Sequence, residues 1–261
     1  MLRAYLRQRA LLVEQGAQHI QHMQQSLTQR NLKLDRVLSD ITGVTGMLII
    51  DAILNGERNP LTLARLRDER CRHDEATIAQ ALVGTWRVEY LFTLRQAREP
   101  YRTMPRLVAE CDAQIEEHLP SLADRTVIRP DDPPCDAPPP ARKKPRRKGR
   151  VAFDAQPLLE HKAGVDLTRI DGIDTNTNTA LTVLSEIGLD MSRRPTEKHF
   201  ASWLALFPAF TKTLPRQPRV GRSPRQSGRT RPSANRAAAA LRMAAWDGTA
   251  PRPHSVPTCA G

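Results

Sequence analysis

Asp171-Gly172 lies between Ile170 and Ile173, within the packable stretch from Gly164 to Leu206. A tight turn of this kind ahead of a helix aims backbone N–H groups and a helix N-terminus outward, and phosphate binds to such an arrangement. Arg142, Lys143, Lys144, Arg146, Arg147, Lys148 and Arg150 form a run of seven cations without an acid. Contact with a polyanion is the chemistry such a run supports, because neutralised phosphates release counterions. Arg229, Arg231 and Arg236 continue the pattern in a C-terminal segment that, from Lys198 on, holds eleven Lys/Arg against the single acid Asp247. The chain carries +12 overall, and these two segments account for more than all of it. Concentrated charge of this sort fits a nucleic-acid partner better than general solvation. Two other spacings are weaker. His19 and His22, three apart, need a third ligand to hold a metal, and none stands nearby; surface or seam histidines are the simpler reading. Gly43-x-x-Gly46 lacks the Lys-Ser/Thr of a phosphate loop and reads as a structural turn before a helix.

The elements that must position the Asp171-Gly172 turn are short helices. The spacing of Ala180, Leu181, Leu184 and Ile187 predicts a helix over 179–187, stopped by Gly188 in the left-handed conformation. Thr196 reads as the N-cap of a second helix over 197–206, buried through Phe200, Trp203, Leu204 and Leu206. Helix or turn, then I-D-G-I-D, then helix, resembles a helix-hairpin-helix element. Asp174 occupies the place of the usual second glycine, and Asn176, Thr177, Asn178 and Thr179 look like a polar expansion of the turn. A packed helical pair with an Asx-rich loop is the alternative.

Before this stretch, Leu6, Val13, Ile20, Leu27, Leu34 and Ile41 recur seven residues apart, the pattern of a left-handed coiled coil over residues 1–41. Self-association through that region is the expectation, with Gly16 weakening the seam. Met47 to Leu54 reads as a buried helix, 61–67 and 75–82 as short ones, and 86–97 and 107–119 as two more, the last a partner for the first helix. Pro130 to Pro140 is low-complexity and runs into the cationic run, so it reads as a linker that cannot bury itself. The fold class expected is mainly α: a long helical hairpin or coiled coil with a small helical insert, then a small helix-hairpin-helix-like domain, with a disordered basic linker and C-terminus. Boundaries fall at 1–125, 126–157, 158–246 and 247–261. Twenty-one prolines and 4% aromatic residues agree with much irregular sequence. No apolar run has membrane-spanning length, no signal peptide is legible, and four widely separated cysteines suit a reducing cytoplasm.

The segment DLTRIDGIDTNTNTALTVLSEIGLDMSRRPTEKHFASWLAL, followed by SGRTRPSANRAAAALRMAA, resembles the C-terminal domain of the IS110/IS1111 group of insertion-sequence transposases. The resemblance extends back through CDAQIEEHL and ITGVTGMLIIDAIL, so it covers most of the chain. It implies DNA binding and transposase activity in DNA transposition, with a structured guide RNA as a further partner. It also implies a RuvC-like domain presenting an Asp-Glu-Asp-Asp set for Mg²⁺, followed by a coiled coil and a domain with a nucleophilic serine.

Two departures from the family pattern follow. The chain starts at the coiled coil, so the acid-bearing domain is expected to be missing, and no substitute metal cluster or cofactor site is legible. After Pro208 the family's glycine-rich S-G-G stretch is replaced by arginine- and proline-rich sequence about eight residues too long. Thr213 falls nearest the family nucleophile, Ser223 and Ser227 are the closest serines, and no acid or histidine in the segment activates any of them. A truncated or frameshifted transposase, inactive by itself, is the expectation; a noncatalytic nucleic-acid-binding or oligomerisation remnant is the alternative.

Overall fold

The computed structural model describes residues 1–122, 149–164, 167, 170, 173, 177–192, 194–206 and 235–249, the last three without their side chains. The regular elements among the described residues are ten α-helices: α1 Leu2–Thr28, α2 Leu34–Val37, α3 Val44–Leu54, α4 Pro60–Ala64, α5 Glu75–Ala81, α6 Val88–His118, α7 Gln156–Ala163, α8 Thr177–Ile187, α9 Glu197–Trp203 and α10 Arg236–Thr249. Among the described residues the mainly α expectation therefore holds. The chain divides into two compact units, Arg7–Cys111 and Met1–Leu6 with Asp112–Gly261.

In the Arg7–Cys111 unit, α1 does not continue to residue 41. Asn31 takes the left-handed conformation at φ 62°, and the N–H of Leu32 donates to the carbonyl of Leu27 at 3.0 Å, which closes the helix. Asparagine accepts that conformation because its short amide bonds locally, so Asn31 is a stop signal inside an otherwise helical pattern. The main buried line of α1 lies three residues on from the expected column, and a second line lies one residue before it. The buried positions of α1 and its exit are Leu2, Arg9, Gly16, Met23 and Arg30, with Leu12 and Ser26 on the second line. Val13, a member of the apolar column, is exposed, whereas Leu27, Leu34 and Ile41 are buried, the last two beyond the end of α1.

Helix α6 is one element where two were expected. Pro100 and Pro105 lie inside it and remove two donors from the backbone ladder, which costs about 3 kcal/mol or more at a helix interior position. Heptad-spaced burial of Leu94, Ala97, Tyr101 and Met104 carries the helix across them. Outside that stripe, Arg98 makes a two-pronged ion pair with Asp51 of α3, both bonds at 2.8 Å. The hydroxyl groups of Ser26 and Thr93 share a hydrogen bond at 3.1 Å, and Gly16 faces Met104. Residue numbers rise along α1 as they fall along α6.

Between these two helices, α2 to α5 surround a core of Ile49, Ile50, Ile53, Leu63, Ile78 and Leu82, all fully buried. The expected helices at 61–67 and 75–82 appear as α4 and α5, capped by the side chains of Asn59 and Asp74. Gly46, expected in a turn before the helix, lies inside α3, with Gly43 as the N-cap; a Cβ at Gly46 would lie 2.1 Å from the Ile41 carbonyl oxygen. Gly84 is equally constrained, its Cβ position being 2.3 Å from the Arg30 carbonyl oxygen.

In the other unit, Leu2 of α1 and Ile115 and Leu119 of the α6 end share a core with Leu159, Ile173, Ala180, Leu181, Leu184 and Ala244. Within the expected linker 126–157, Val151 and Ala155 are part of this core. Arg3 donates to the carbonyls of Ser185 and Glu186, both at 3.1 Å, and pairs with the Glu186 carboxylate at 3.4 Å. A cation there complements the C-terminal end of the α8 dipole.

The offset seam makes a contrast that one residue pair reads out. Leu27→Asp leaves an uncompensated charge in the core and is expected to lower stability by about 3–5 kcal/mol, while Val13→Asp at the surface changes it by about 0.5 kcal/mol. Urea unfolding followed by circular dichroism checks this; equal losses for the two variants would contradict the burial pattern.

Candidate nucleic-acid interface

Of the residues expected to contact phosphate, Arg150 and Arg236 belong to the described set. Arg142, Lys143, Lys144, Arg146, Arg147, Lys148, Gly172, Arg229 and Arg231 lie outside the described residues, as do Thr213, Ser223 and Ser227.

Arg150 is held by its neighbours. The amide of Asn178, in the first turn of α8, donates to the Gly149 carbonyl at 2.7 Å and accepts from the Val151 N–H at 3.3 Å. One side chain thus grips the backbone on both sides of Arg150. The Ala152 N–H donates to the buried Asp112 carboxylate at 3.0 Å, and Val151 is buried beneath. The last cation of the basic run is in this way fastened to the N-terminal turn of a helix, where the backbone dipole favours an anion. The polar residues Thr177, Asn178 and Thr179, expected to expand a turn, belong instead to the helix itself.

Arg236 opens α10 and is exposed, while Ala237 and Ala238 turn inward. The Ala237 N–H donates to the Asn235 side chain at 3.0 Å, which helps start the helix. A cation at this end opposes the helix dipole, so a bound anion there would relieve the mismatch.

Around α8 and α9 the expected signals are present. Gly188 sits at φ 78°, and the Thr196 hydroxyl accepts from the His199 N–H at 3.3 Å. Trp203 corrects the expected burial, being 42% exposed. Helix α9 ends there, Ala205 turns the chain at φ 54°, and Leu204 takes the core position. The Arg194 guanidinium lies 3.8 Å from the centre of the Trp203 ring. The indole therefore lies exposed beside a guanidinium, a placement concealed by the periodicity that assigned Trp203 to the core.

The other motifs are structural or mixed in charge. A cleft of about 480 Å³ at the start of α3 is lined by Asp35, Asp40 and Asp68 as well as Arg36, Arg70 and Arg72. Two of its three carboxylates are engaged in turns, Asp40 with Thr42 and Asp68 with the Arg70 N–H. The rings of His19 and His22 are 6.3 Å apart, edge to face. Among the described residues, no group of three His, Cys, Asp or Glu could hold a metal ion. No helix among the described residues is long and apolar enough to cross a membrane. Comparison with protein-family models, with curated proteins and with solved structures finds no match for this chain.

Replacing Asn178 by Ala removes both bonds around Arg150. Neutral hydrogen bonds contribute roughly 0.5–1.5 kcal/mol each, so Asn178→Ala is expected to cost about 1–3 kcal/mol locally. Amide hydrogen exchange at Val151 measures it, and unchanged protection there would show that the clamp carries no such weight.

Proposed function

We propose that this chain binds nucleic acid through phosphate contacts and is a transposase-type protein of the IS110/IS1111 group, acting on DNA and associating with structured RNA in the cytoplasm. The observation that carries the binding reading is the clamp of Asn178 on Gly149 and Val151, which ties the end of a seven-cation run to a helix N-terminus. The stacked Arg194–Trp203 pair on the same unit supports it. The transposase reading rests on the long ungapped sequence resemblance from Asp166 to Leu206.

On this reading α7, the Asp171-Gly172 turn and α8 form the helix-hairpin-helix-like element, and α1 with α6 forms an antiparallel coiled-coil arm. Self-association through residues 1–41 would use the outward face of α1, where Leu11 and Val13 are exposed, because Leu12, Gly16, Met23 and Leu27 are turned inward. The family chemistry is attack of a serine on a DNA phosphate. In this chain the segment after Pro208 lacks S-G-G, and Thr213, Ser223 and Ser227 have no acid or histidine within it. A nucleophile must be positioned to within about 1 Å to avoid roughly 10²-fold losses in rate. We therefore assign the chain binding without strand exchange; phosphate contacts need only charge and loose geometry.

Affinity for duplex DNA and for structured RNA is expected to fall roughly 10³-fold or more between 50 and 200 mM salt, as for about six or more phosphate contacts. Fluorescence anisotropy across a salt series measures this, and replacement of the cations in 142–148 by Gln should flatten the slope. A flat wild-type response, or no binding at low salt, would refute the reading.

Incubation with element-end DNA, Mg²⁺ and guide RNA is expected to yield no protein covalently joined to DNA. Denaturing electrophoresis of labelled DNA reads the outcome. An adduct abolished by Ser223→Ala, Ser227→Ala or Thr213→Ala would overturn the inactive assignment and identify the nucleophile.

A further inference from the structure

Arg30 is the most unusual side chain in the Arg7–Cys111 unit. It is fully buried, and none of its three guanidinium nitrogens has a hydrogen-bond partner. Its closest recognised contact is the ring of Trp86, whose centre lies 5.9 Å from the guanidinium carbon. A second guanidinium, that of Arg58, sits 4.8 Å from the same ring. Among the described residues, no carboxylate forms an ion pair with either arginine. Glu57 is nearby in sequence, but its Oε1 accepts the backbone N–H groups of Arg58 and Asn59, both at 2.8 Å. Those bonds hold its pKa below the usual carboxylate range, the Asn59 bond contributing most.

Burying one cation without a partner is costly, and setting a second beside it adds repulsion. Burial, and then the charge of Arg58, lower the Arg30 pKa to about 10, so the group stays charged at neutral pH. The α1 terminus and the indole face offset part of this, yet neither supplies an acceptor to the three nitrogens. The backbone also keeps the arrangement in place. The Arg30 carbonyl accepts the Thr85 N–H at 2.9 Å, and the Lys33 N–H donates to the Ala81 carbonyl at 2.9 Å, so Arg30 and the segment leading to Trp86 are zipped together. Arg58 is fixed through its Nη1, which donates to the carbonyls of Ile53 at 2.6 Å and Glu57 at 2.8 Å. Two anchored guanidiniums about one indole have the donors and charge that a tetrahedral oxyanion satisfies.

We propose that Arg30, Arg58 and Trp86 form a binding site for a phosphate-class oxyanion. The anion enters from the side of Arg58 and Trp86, which are partly exposed, and displaces the indole edge to reach Arg30. Either free inorganic phosphate or a nucleic-acid phosphodiester carries this chemistry. The site does not rest on the transposase reading or on the cations of 142–150.

The test uses the full chain with Trp203→Phe and Trp246→Phe, which leaves Trp86 as the sole tryptophan. Inorganic phosphate is titrated against chloride at constant ionic strength, and Trp86 emission and the thermal midpoint are followed. The expected result is a saturable change in emission and, at saturation, a rise in midpoint of roughly 4 °C or more. Arg30→Met and Arg58→Gln each weaken the response tenfold or more, and Arg30→Met raises the midpoint without phosphate by removing the unpaired charge. Should Arg30→Met fail to fold, the partly exposed Arg58→Gln carries the comparison. A short DNA duplex that elicits the same response identifies the phosphodiester as the source, while a response to phosphate alone identifies the free ion; either supports the site. Emission indifferent to both ligands, or a response that survives both substitutions, overturns it. Replacing the cations of 142–148 separates the two ideas, because it flattens the salt dependence of nucleic-acid binding and leaves the Trp86 response to inorganic phosphate intact.

Discussion

Everything in the Arg7–Cys111 unit depends on how α1 finds a partner for a seam that is only partly apolar. A helix this polar gains little from intrinsic propensity and is held by tertiary packing. Its inward line includes Arg9, Gly16 and Arg30 beside Leu12 and Met23, so a second apolar helix alone would leave charges and gaps unanswered. Helix α6 fills the gap and answers the hydroxyl, with Met104 against Gly16 and the Thr93 hydroxyl against Ser26. Met104 is well suited to the space at a glycine because its unbranched side chain adapts to irregular gaps. The short helices α2 to α5 then fill the chain between the two with a conventional core. Arg30 is left as the one fully buried cation among the described residues, and that cost is what draws attention to an anion.

The second unit is assembled by polar clamps around a modest core. Asn178 grips 149–151, Asp112 holds Ala152, Lys162 donates to the carbonyls of Pro120 and Leu122 at 2.6 and 2.5 Å, and Arg3 closes the end of α8. Each clamp joins residues distant in sequence, and several of its members are substantially buried, where a missing partner is expensive.

Charge and stacking enter the functional reading in different ways. Clustered cations give affinity with little geometric demand, and their effect is screened by salt. The Arg194–Trp203 pair needs a defined orientation, which α9 and the turn at Ala205 supply. A binding function therefore survives disruption more readily than a catalytic one.

Much of the local structure was legible in the sequence. Gly188 as a stop, Thr196 as a cap, the α8 apolar face and a mainly helical fold all follow from short-range stereochemistry, which depends on neighbours within one turn. Charge location is likewise a property of the sequence, and it points to a polyanion without any fold. Much of the candidate site was not legible. Asn31 and Val13 misled because a seven-residue repeat is shared by adjacent columns, and only contact with α6 selects the one that contains arginine and glycine. The sequence reading divides 86–97 from 107–119, whereas α6 runs through Pro100 and Pro105 because the packing that overrides their local cost comes from residues far away in sequence. Trp203 was assigned inside by periodicity and lies outside because α9 stops one residue before Leu204 reaches the core. The grip of Asn178 on Gly149 and Val151, and the meeting of Arg30, Arg58 and Trp86, join positions about 27 to 56 residues apart. No periodicity encodes such meetings; the tertiary structure decides them, because closing those loops is worthwhile only when the whole core forms at once.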